Sequence, residues 1–447
     1  MAALAAARSG GLDSAMLSPL LAVAAILAGI TIVSLGQGVF ATLVPIRLTE
    51  AGLPADRVGL VVAASAVGFL AGCLVVGRLI RLVGHIRAFS AFAAASCLAG
   101  LALPWTVGLP GWFLLRLAMG FCSAGLFMVA ESWLNELTPR HLRGRILTSY
   151  VVVVMLALGA GQALLTVVDT RDVLPFVLAS AAFTLALIPV TLTRSRHPSV
   201  PHRIRPILRK AYRNSPVGAV GCVVVGLVAA TLQGVAPVWG VHRGFSTAEI
   251  ATLMAATQIG GLLCQWPLGW LSDRIDRRWV ILGASLCTIV AAVGSIAAEA
   301  ASFTLLIVLF ALWGGMAEAI YPLSVAHAND HAKPQDYVPL AGTLLILWSI
   351  GSSAGPLAAT VAMERFGPDA LFVYVTVLVG AFAGFVLWRM ARRGRVAAGE
   401  AEHFVGLAAG SSPAPAELDP RIRPEDEAEC EPGYDDCEDL PSPQQSR

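Results

Sequence analysis

Residues 51–84 read AGLPADRVGLVVAASAVGFLAGCLVVGRLIRLVG, and residues 243–276 read RGFSTAEIATLMAATQIGGLLCQWPLGWLSDRID. Offset by about 192 residues, the two stretches set Gly52, Ala63, Ala64, Gly68, Leu70, Gly77 and Leu79 on identical residues. Each opens on a polar turn, runs through about twenty mostly apolar positions and closes near arginine, the pattern of a helix that crosses a bilayer. Similar offsets set Gln37-Gly38-Val39 on Gln233-Gly234-Val235, and Asn135-Glu136 on Asn329-Asp330. These matches include Gly, Gln and Asn, so shared apolar composition does not account for them. The chain therefore reads as two halves related by a parallel repeat, the construction of transporters that rock two bundles about a central site.

Outward from that repeat, the whole chain is apolar. Of its 447 residues 56% are hydrophobic and 13% charged, and the mean hydropathy is +0.73, whereas a soluble domain carries about 25% charged residues. Lipid is the main solvent. Apolar runs bounded by charges or turn residues predict an all-α membrane protein of twelve transmembrane helices, near 20–43, 57–77, 88–106, 110–135, 146–168, 173–193, 217–241, 248–271, 279–298, 302–328, 338–362 and 368–388. The run from Leu20 is too long for the apolar core of a signal peptide and lacks a small-residue cleavage site after it, so it stays as the first span. Six of the eight cysteines (Cys73, Cys97, Cys122, Cys222, Cys264 and Cys287) fall in apolar runs as small hydrophobes, and no disulfide framework is expected.

An even number of spans puts both termini on one side, and the basic residues say which. With cytoplasmic termini, that face collects Arg8, Arg78, Arg81, Arg87, Arg140, Arg143, Arg145, seven residues from Arg194 to Arg213, Arg274, Arg277, Arg278, Lys333, Arg389, Arg392, Arg393 and Arg395; the other face holds Arg47, Arg57, Arg171, Arg243 and Arg365, so 22 stand against five. The expected organisation is a cytoplasmic segment 1–19, a six-helix bundle 20–193, a basic cytoplasmic linker 194–216, a second bundle 217–390, and a disordered acidic tail 391–447. The linker's charge suits anionic lipid head groups, and a net charge of +2 spread through short clusters gives no nucleic-acid surface. Cys430 and Cys437 in the tail fit no metal-site spacing.

The turn after the eighth span reads Gly269-Trp270-Leu271-Ser272-Asp273-Arg274-Ile275-Asp276-Arg277-Arg278. It resembles the loop signature G-x-L-x-D-R-x-G-R-R/K of the major facilitator superfamily, with Asp276 in place of the second glycine. The resemblance covers about residues 18–390. The first-half copy, Gly77 to Arg87, carries Arg81 where the family's aspartate sits, which weakens the first-half latch and leaves more of the gating to the second copy. Arg116 to Gly120, the string Glu131-Ser132-Trp133-Leu134-Asn135-Glu136, and Pro139 to Arg145 also resemble this superfamily; AESWLNE and YPLSVAHANDH resemble a bacterial branch of it. The resemblance implies a multi-pass monomer of a bacterial cytoplasmic (inner) membrane, two six-helix bundles, a small-molecule substrate, a proton as coupling ion and no cofactor. The antiporter signature of drug exporters is poorly met by Gly159-Ala160-Gly161-Gln162, and the cleaner Gly351 to Pro356 lies in the wrong half.

Charged groups at bilayer depth cost about 2.5–3.5 kcal/mol each, so each asks for an explanation. Arg116 lies about two turns into the fourth span, and by resemblance it matches the family's arginine tied to proton coupling; a structural hydrogen bond to Gln37 or to carbonyls is its other reading. Glu318 sits near mid-depth of the tenth span, where a carboxyl out of water is switched by a proton or a cation; its other reading is an ion pair between helices. Glu131, two turns from Pro139, reads as a gate partner of Arg87 or Arg81. Gln37, Gln162, Gln233, Gln258 and Gln265 stand on spans that line the cavity in this superfamily, to bind a solute or each other. Tyr321 and Trp348 are candidates to stack on a substrate ring, and Trp239 reads as an interfacial anchor. Gly77, Arg81, Arg87, Glu131, Gly269, Asp273, Arg274, Arg277 and Arg278 are the expected gating residues. His327 and His331 beside Asp330 lack a third ligand, and Gly351-Ser-Ser-Ala-Gly355 lacks the strand-to-helix elbow of a nucleophile.

No G-x-x-x-x-G-K-[ST] loop is present to bind ATP, so a gradient supplies the energy. The expected function is a secondary carrier, proton-coupled and working by alternating access. The alternatives are a sensor that keeps the fold without turnover, and a drug or metabolite exporter. A membrane-embedded enzyme would need a polar cluster at a membrane face, and the sequence offers none.

Overall fold

The computed structural model describes residues 2–138, 142–191 and 206–392. Pro139, Arg140 and His141, most of the basic linker, and the acidic tail with Cys430 and Cys437 lie outside the described residues. All regular structure among those described is helical. Twelve helices are long and apolar enough to cross a membrane: α1 (Leu21–Glu50), α2 (Ala55–Val83), α3 (His85–Trp105), α4 (Leu109–Leu137), α5 (Gly144–Leu164), α6 (Leu174–Thr191), α7 (Pro216–His242), α8 (Thr247–Ser272), α9 (Arg277–Glu299), α10 (Phe303–Asn329), α11 (Tyr337–Phe366) and α12 (Ala370–Arg392). The largest departure from the sequence reading is at the first span, whose helix runs Ala2–Glu50 and passes Pro45 and Arg47. Bilayer-depth helices tolerate proline, and one turn on the Thr49 hydroxyl donates back to Pro45 O at 2.8 Å.

Local sequence sets the helix ends. Gly52 and Gly244, which match in the repeat, both turn the chain with positive φ, 81° and 78°. Ser246 then opens α8 as half of a capping box: its hydroxyl accepts from the Glu249 N–H, and Glu249 accepts from the Ser246 N–H at 2.8 Å. The outer surface is apolar, with Leu74, Leu263, Val290, Val308 and Val377 all exposed, as lipid-facing positions should be.

The repeat of the sequence is a repeat of packing. In the first half α2 lies on α4 and α1 on α5; in the second α8 lies on α10 and α7 on α11. The crossings coincide residue by residue. A Cβ on Gly68 would overlap the carbonyl oxygen of Leu117, and a Cβ on Gly260 that of Ala311. Likewise Gly161 meets Leu35 O and Gly355 meets Leu227 O. Each of these residues has its mate about 192 to 194 positions on. Two six-helix bundles built alike then meet through α2 against α11 and α5 against α8. At one end of that seam Ala55 N–H donates to Glu364 Oε2 at 3.2 Å, and Thr170 and Thr247 hydroxyls lie 3.3 Å apart.

Trp239 is not an interfacial anchor. It is fully buried, with its ring 5.4, 5.8 and 5.1 Å from those of Phe245, Phe310 and Phe372, and its Nε1 donates to Asp369 Oδ1 at 3.2 Å. Asp369 also pairs with Arg243, which reaches Glu299 at 3.4 Å. The indole ties α7 to α10 and α12 inside the second bundle.

Candidate functional site

A cavity of about 330 Å³ lies between the bundles, lined by residues of both. Arg116, Glu131 and Glu318 are its charged residues; Gln37, Gln162, Gln233 and Gln258 are its amides; Phe40, Phe69, Phe127 and Trp348 are among its aromatics. Tyr321 does not line it and packs behind Trp348 with ring centroids 6.3 Å apart. Gln265 does not line it either.

On the second-bundle side the polar groups form a chain. Gln162 Nε2 of α5 donates to Gln233 Oε1 of α7 at 2.8 Å. Gln233 Nε2 points on to Glu318 Oε1 of α10 and to Thr257 Oγ1 of α8, 3.4 Å from each. Glu318 fits because α8 offers no side chain at Gly261, where a Cβ would stand 2.8 Å from Glu318 Oε2. The chain begins on the first bundle and ends on a carboxyl of the second. Gln162 Oε1 is buried without a hydrogen-bond partner.

On the first-bundle side, Arg116 Nη2 donates to Ser65 Oγ at 3.2 Å, and its Nε is buried without a partner. Gln37 Nε2 donates to Ser123 Oγ at 2.9 Å, not to Arg116. Tyr150 donates to Glu131 Oε1 at 2.6 Å, inside the cavity wall; Arg87 is exposed and makes no ion pair among the described residues. Neither Arg116 nor Glu318 has an ion-pair partner among them. The charges break the repeat: at an offset of about 194 residues Arg116 aligns with Phe310 and Glu318 with Ala124. The Arg116 cation belongs to one bundle and the Glu318 carboxyl to the other.

The α8–α9 turn brings together the second-half residues that the sequence pattern singled out. Arg274 lies over the Trp270 ring at 3.6 Å. Arg277 reaches Asp273 at 3.7 Å and, in a buried pair, Asp330 at 3.3 Å, so Asp330 joins the turn to the end of α10. Asp276, the departure from the loop signature, caps α9 by accepting from Arg278 N–H at 3.0 Å, and pairs with the Arg278 side chain at 2.7 Å. In the first half Gly77 is loosely packed, with Arg81 Nη1 and Met128 Sδ each 4.0 Å from a Cβ built there, and Arg81 is exposed.

Burial opposes ionisation of Asp276, but its hydrogen bonds to the Arg278 side chain and backbone, with the Arg278 charge, outweigh that and hold the carboxyl below the ordinary carboxylate range. A carboxyl so held adds stability above the ordinary value, about 3.9, and that stability is lost as pH falls through the lowered value. Asp276→Ala is expected to cost about 1 kcal/mol as a lost cap, read as a lower thermal midpoint in detergent. Asp276→Asn keeps the cap, and its deficit against wild type should shrink as pH drops below the carboxylate range; a deficit independent of pH would remove the ionic contribution.

Sequence reasoning passed over Ser65, Ser123, Tyr150 and Thr257, and met Asp330 in the repeat and beside two histidines without seeing its pairing with Arg277. The repeat carried the signal for three of them, because Ser65 aligns with Thr257 at the 192-residue offset and Asp330 with Glu136.

The sequence profile of the Major Facilitator Superfamily matches residues 26–256 and again 218–415. A protein of Yersinia pestis (strain Pestoides F) described as an uncharacterized MFS-type transporter is 30% identical over 356 residues, covering 78% of this chain and 91% of that one. The MFS-type transporter YcaD of Salmonella newport (strain SL254) is 31% identical over 364 residues, with the same coverage. Among solved structures, the nucleoside transporter NupG superimposes with a TM-score of 0.65 at 13% identity, over 83% of this chain and 98% of that one. A bacterial homolog of the human lysosomal transporter Spinster gives 0.66 at 15%, over 83% and 97%. At such identities the structures speak to fold alone, and the profile and relatives carry the assignment: this chain is a multi-pass membrane transporter belonging to the major facilitator superfamily.

Proposed function

We propose that this transporter is a secondary active carrier that moves a small organic solute by alternating access, with Glu318 as the site of a coupling proton. The observation that carries the reading is the chain Gln162–Gln233–Glu318, which links a carboxyl of one bundle to the other bundle across the cavity. An ionised Glu318 only accepts, so Gln233 must turn its Nε2 toward it and its Oε1 toward Gln162. A protonated Glu318 donates instead. The amides of Gln233 and Gln162 then both turn over, and Gln233 gives its N–H to Gln162 Oε1, the atom that has no partner here. The proton on Glu318 thereby sets the polarity of a hydrogen bond between the bundles.

In this reading residues 20–193 and 217–390 rock as two bodies in a monomer, the linker and both termini face the cytoplasm of a bacterial inner membrane, and the turn around Asp273, Arg277 and Asp330 serves as the gate on that face. The test is solute flux in proteoliposomes with a trapped pH indicator. An imposed gradient of a transported solute should move protons only when the protein is present. A solute that raises the thermal midpoint yet crosses without moving protons would end the coupling reading, and one that binds without crossing would leave a sensor.

A further inference from the structure

Three charged side chains line the cavity, and they differ in what they leave unmet. Glu131 accepts from Tyr150 at 2.6 Å, and Glu318 faces the Gln233 amide N–H at 3.4 Å with its second oxygen packed on Gly261. Arg116 is the one of the three with a buried polar atom that lacks a partner: one nitrogen rests on Ser65, Nε has no acceptor, and no carboxylate stands within ion-pair distance among the described residues. A guanidinium offers five donors in a fixed fork, and leaving one buried and unsatisfied costs free energy that an anion would recover.

The surroundings of Arg116 define the rest of the ligand. Ser65, which holds it, stands one helical turn from Phe69 on α2, and residues so spaced share a face. Phe69 in turn meets the Trp348 ring edge-on, 6.0 Å between centroids, and the Trp348 Nε1 has no partner. Acid site and aromatic wall are therefore neighbours, with one further N–H donor in the wall. The cavity, about 330 Å³, is at the small end of the range for organic ligands.

We infer that the transported solute is a compact organic monoanion, its acid group held by Arg116 and its apolar body against Phe69 and Trp348. The inference rests on the carrier reading above and adds a charge rule to it. An anion bound at Arg116 together with a proton bound at Glu318 leaves the charge of the cavity as it was when empty. The loaded and unloaded carriers then cross the field alike, and the cycle is electroneutral. A dianion would bring a second negative charge that the one proton at Glu318 leaves uncompensated, and an amine would bring a cation into the cavity that Arg116 already lines.

The test uses purified full-length protein and three matched sets of probes: benzoate, phenylacetate and benzenesulfonate; benzamide and phenylacetamide; benzylamine and phenethylamine. The acids should bind at least tenfold tighter than the amides and amines. Arg116→Gln should lose at least tenfold in acid affinity, Arg116→Lys should restore most of it, and Glu318→Gln should bind acids at least as well as wild type. Amines or amides binding as tightly as acids, acid affinity unchanged in Arg116→Gln, or no acid binding at all would each overturn the inference. Flux of benzenesulfonate, which does not leak as a neutral acid, separates it from the carrier reading. Uptake driven by a pH gradient and unchanged by a potassium–valinomycin potential supports both. Acid binding that depends on Arg116 without any flux overturns the carrier reading and keeps the anion site; pH-driven flux of the amines or amides does the reverse. Flux that follows the imposed potential overturns the electroneutral cycle.

Discussion

Replacing Glu318 with Gln is expected to abolish proton-driven accumulation while leaving a folded protein that still exchanges solute across the membrane. One proton per cycle supplies about 1.4 kcal/mol per unit of pH gradient, a limit of about tenfold accumulation, and the variant should fall to no accumulation at any gradient. The side chain keeps its shape and its place against Gly261, so the thermal midpoint should move by no more than about 2 °C. What changes is that an amide presents both a donor and an acceptor at all pH values, and the hydrogen bond to Gln233 no longer reports a proton. Uptake that still follows the pH gradient in Glu318→Gln would remove this carboxyl from the mechanism. Gln233→Leu separates binding of the proton from its use. It keeps the Glu318 carboxyl and cuts the link to Gln162, so solute and proton should still bind while their fluxes become independent.

The fold was legible because lipid imposes simple demands. A span must be long and apolar, its closest crossings need small residues, and a duplicated bundle repeats both. Gly68 and Gly260 align in the sequence and sit at the same crossing in the two bundles. Arg116 and Glu318 were legible for the opposite reason: charge at depth is expensive, so its presence marks a protein-lined interior, and both line the cavity. The direction in which a side chain turns was not legible. Trp239 lies near a helix end, which suggests an anchor in the lipid interface, yet α7 turns it inward onto Phe310 and Phe372. Tyr321 is one turn from Glu318 and still does not line the cavity, because it packs against Trp348, which does. Partners across elements, such as Tyr150 for Glu131 or Asp330 for Arg277, are distant in sequence and joined only by packing.

The repeated crossings carry the second large effect. Gly68→Ala and Gly260→Ala should each destabilise the protein by about 3 kcal/mol or more, since a single added carbon must push two helix backbones apart where no flexible side chain can give way. The same substitution at Gly283 of α9 or Gly384 of α12, where a Cβ meets nothing within 4 Å, should be neutral or stabilising by up to about 1 kcal/mol through helix propensity. Four identical chemical changes thus divide by packing alone, and thermal midpoints in detergent read the division directly. Because Gly68 and Gly260 belong to different bundles and share no contact, the double variant should show the sum of the two losses. A harmless Gly260→Ala beside a damaging Gly68→Ala would mean that the two bundles are not held together in the same way. The damage at Gly68 has a further consequence. Its helix also carries Ser65 and Phe69, so separating α2 from α4 moves Ser65 away from Arg116 and loosens one wall of the cavity. Gly68→Ala should therefore weaken solute binding in whatever protein still folds, whereas Gly260→Ala acts first on the Thr257 and Gly261 side, against Gln233 and Glu318, and should disturb coupling before binding.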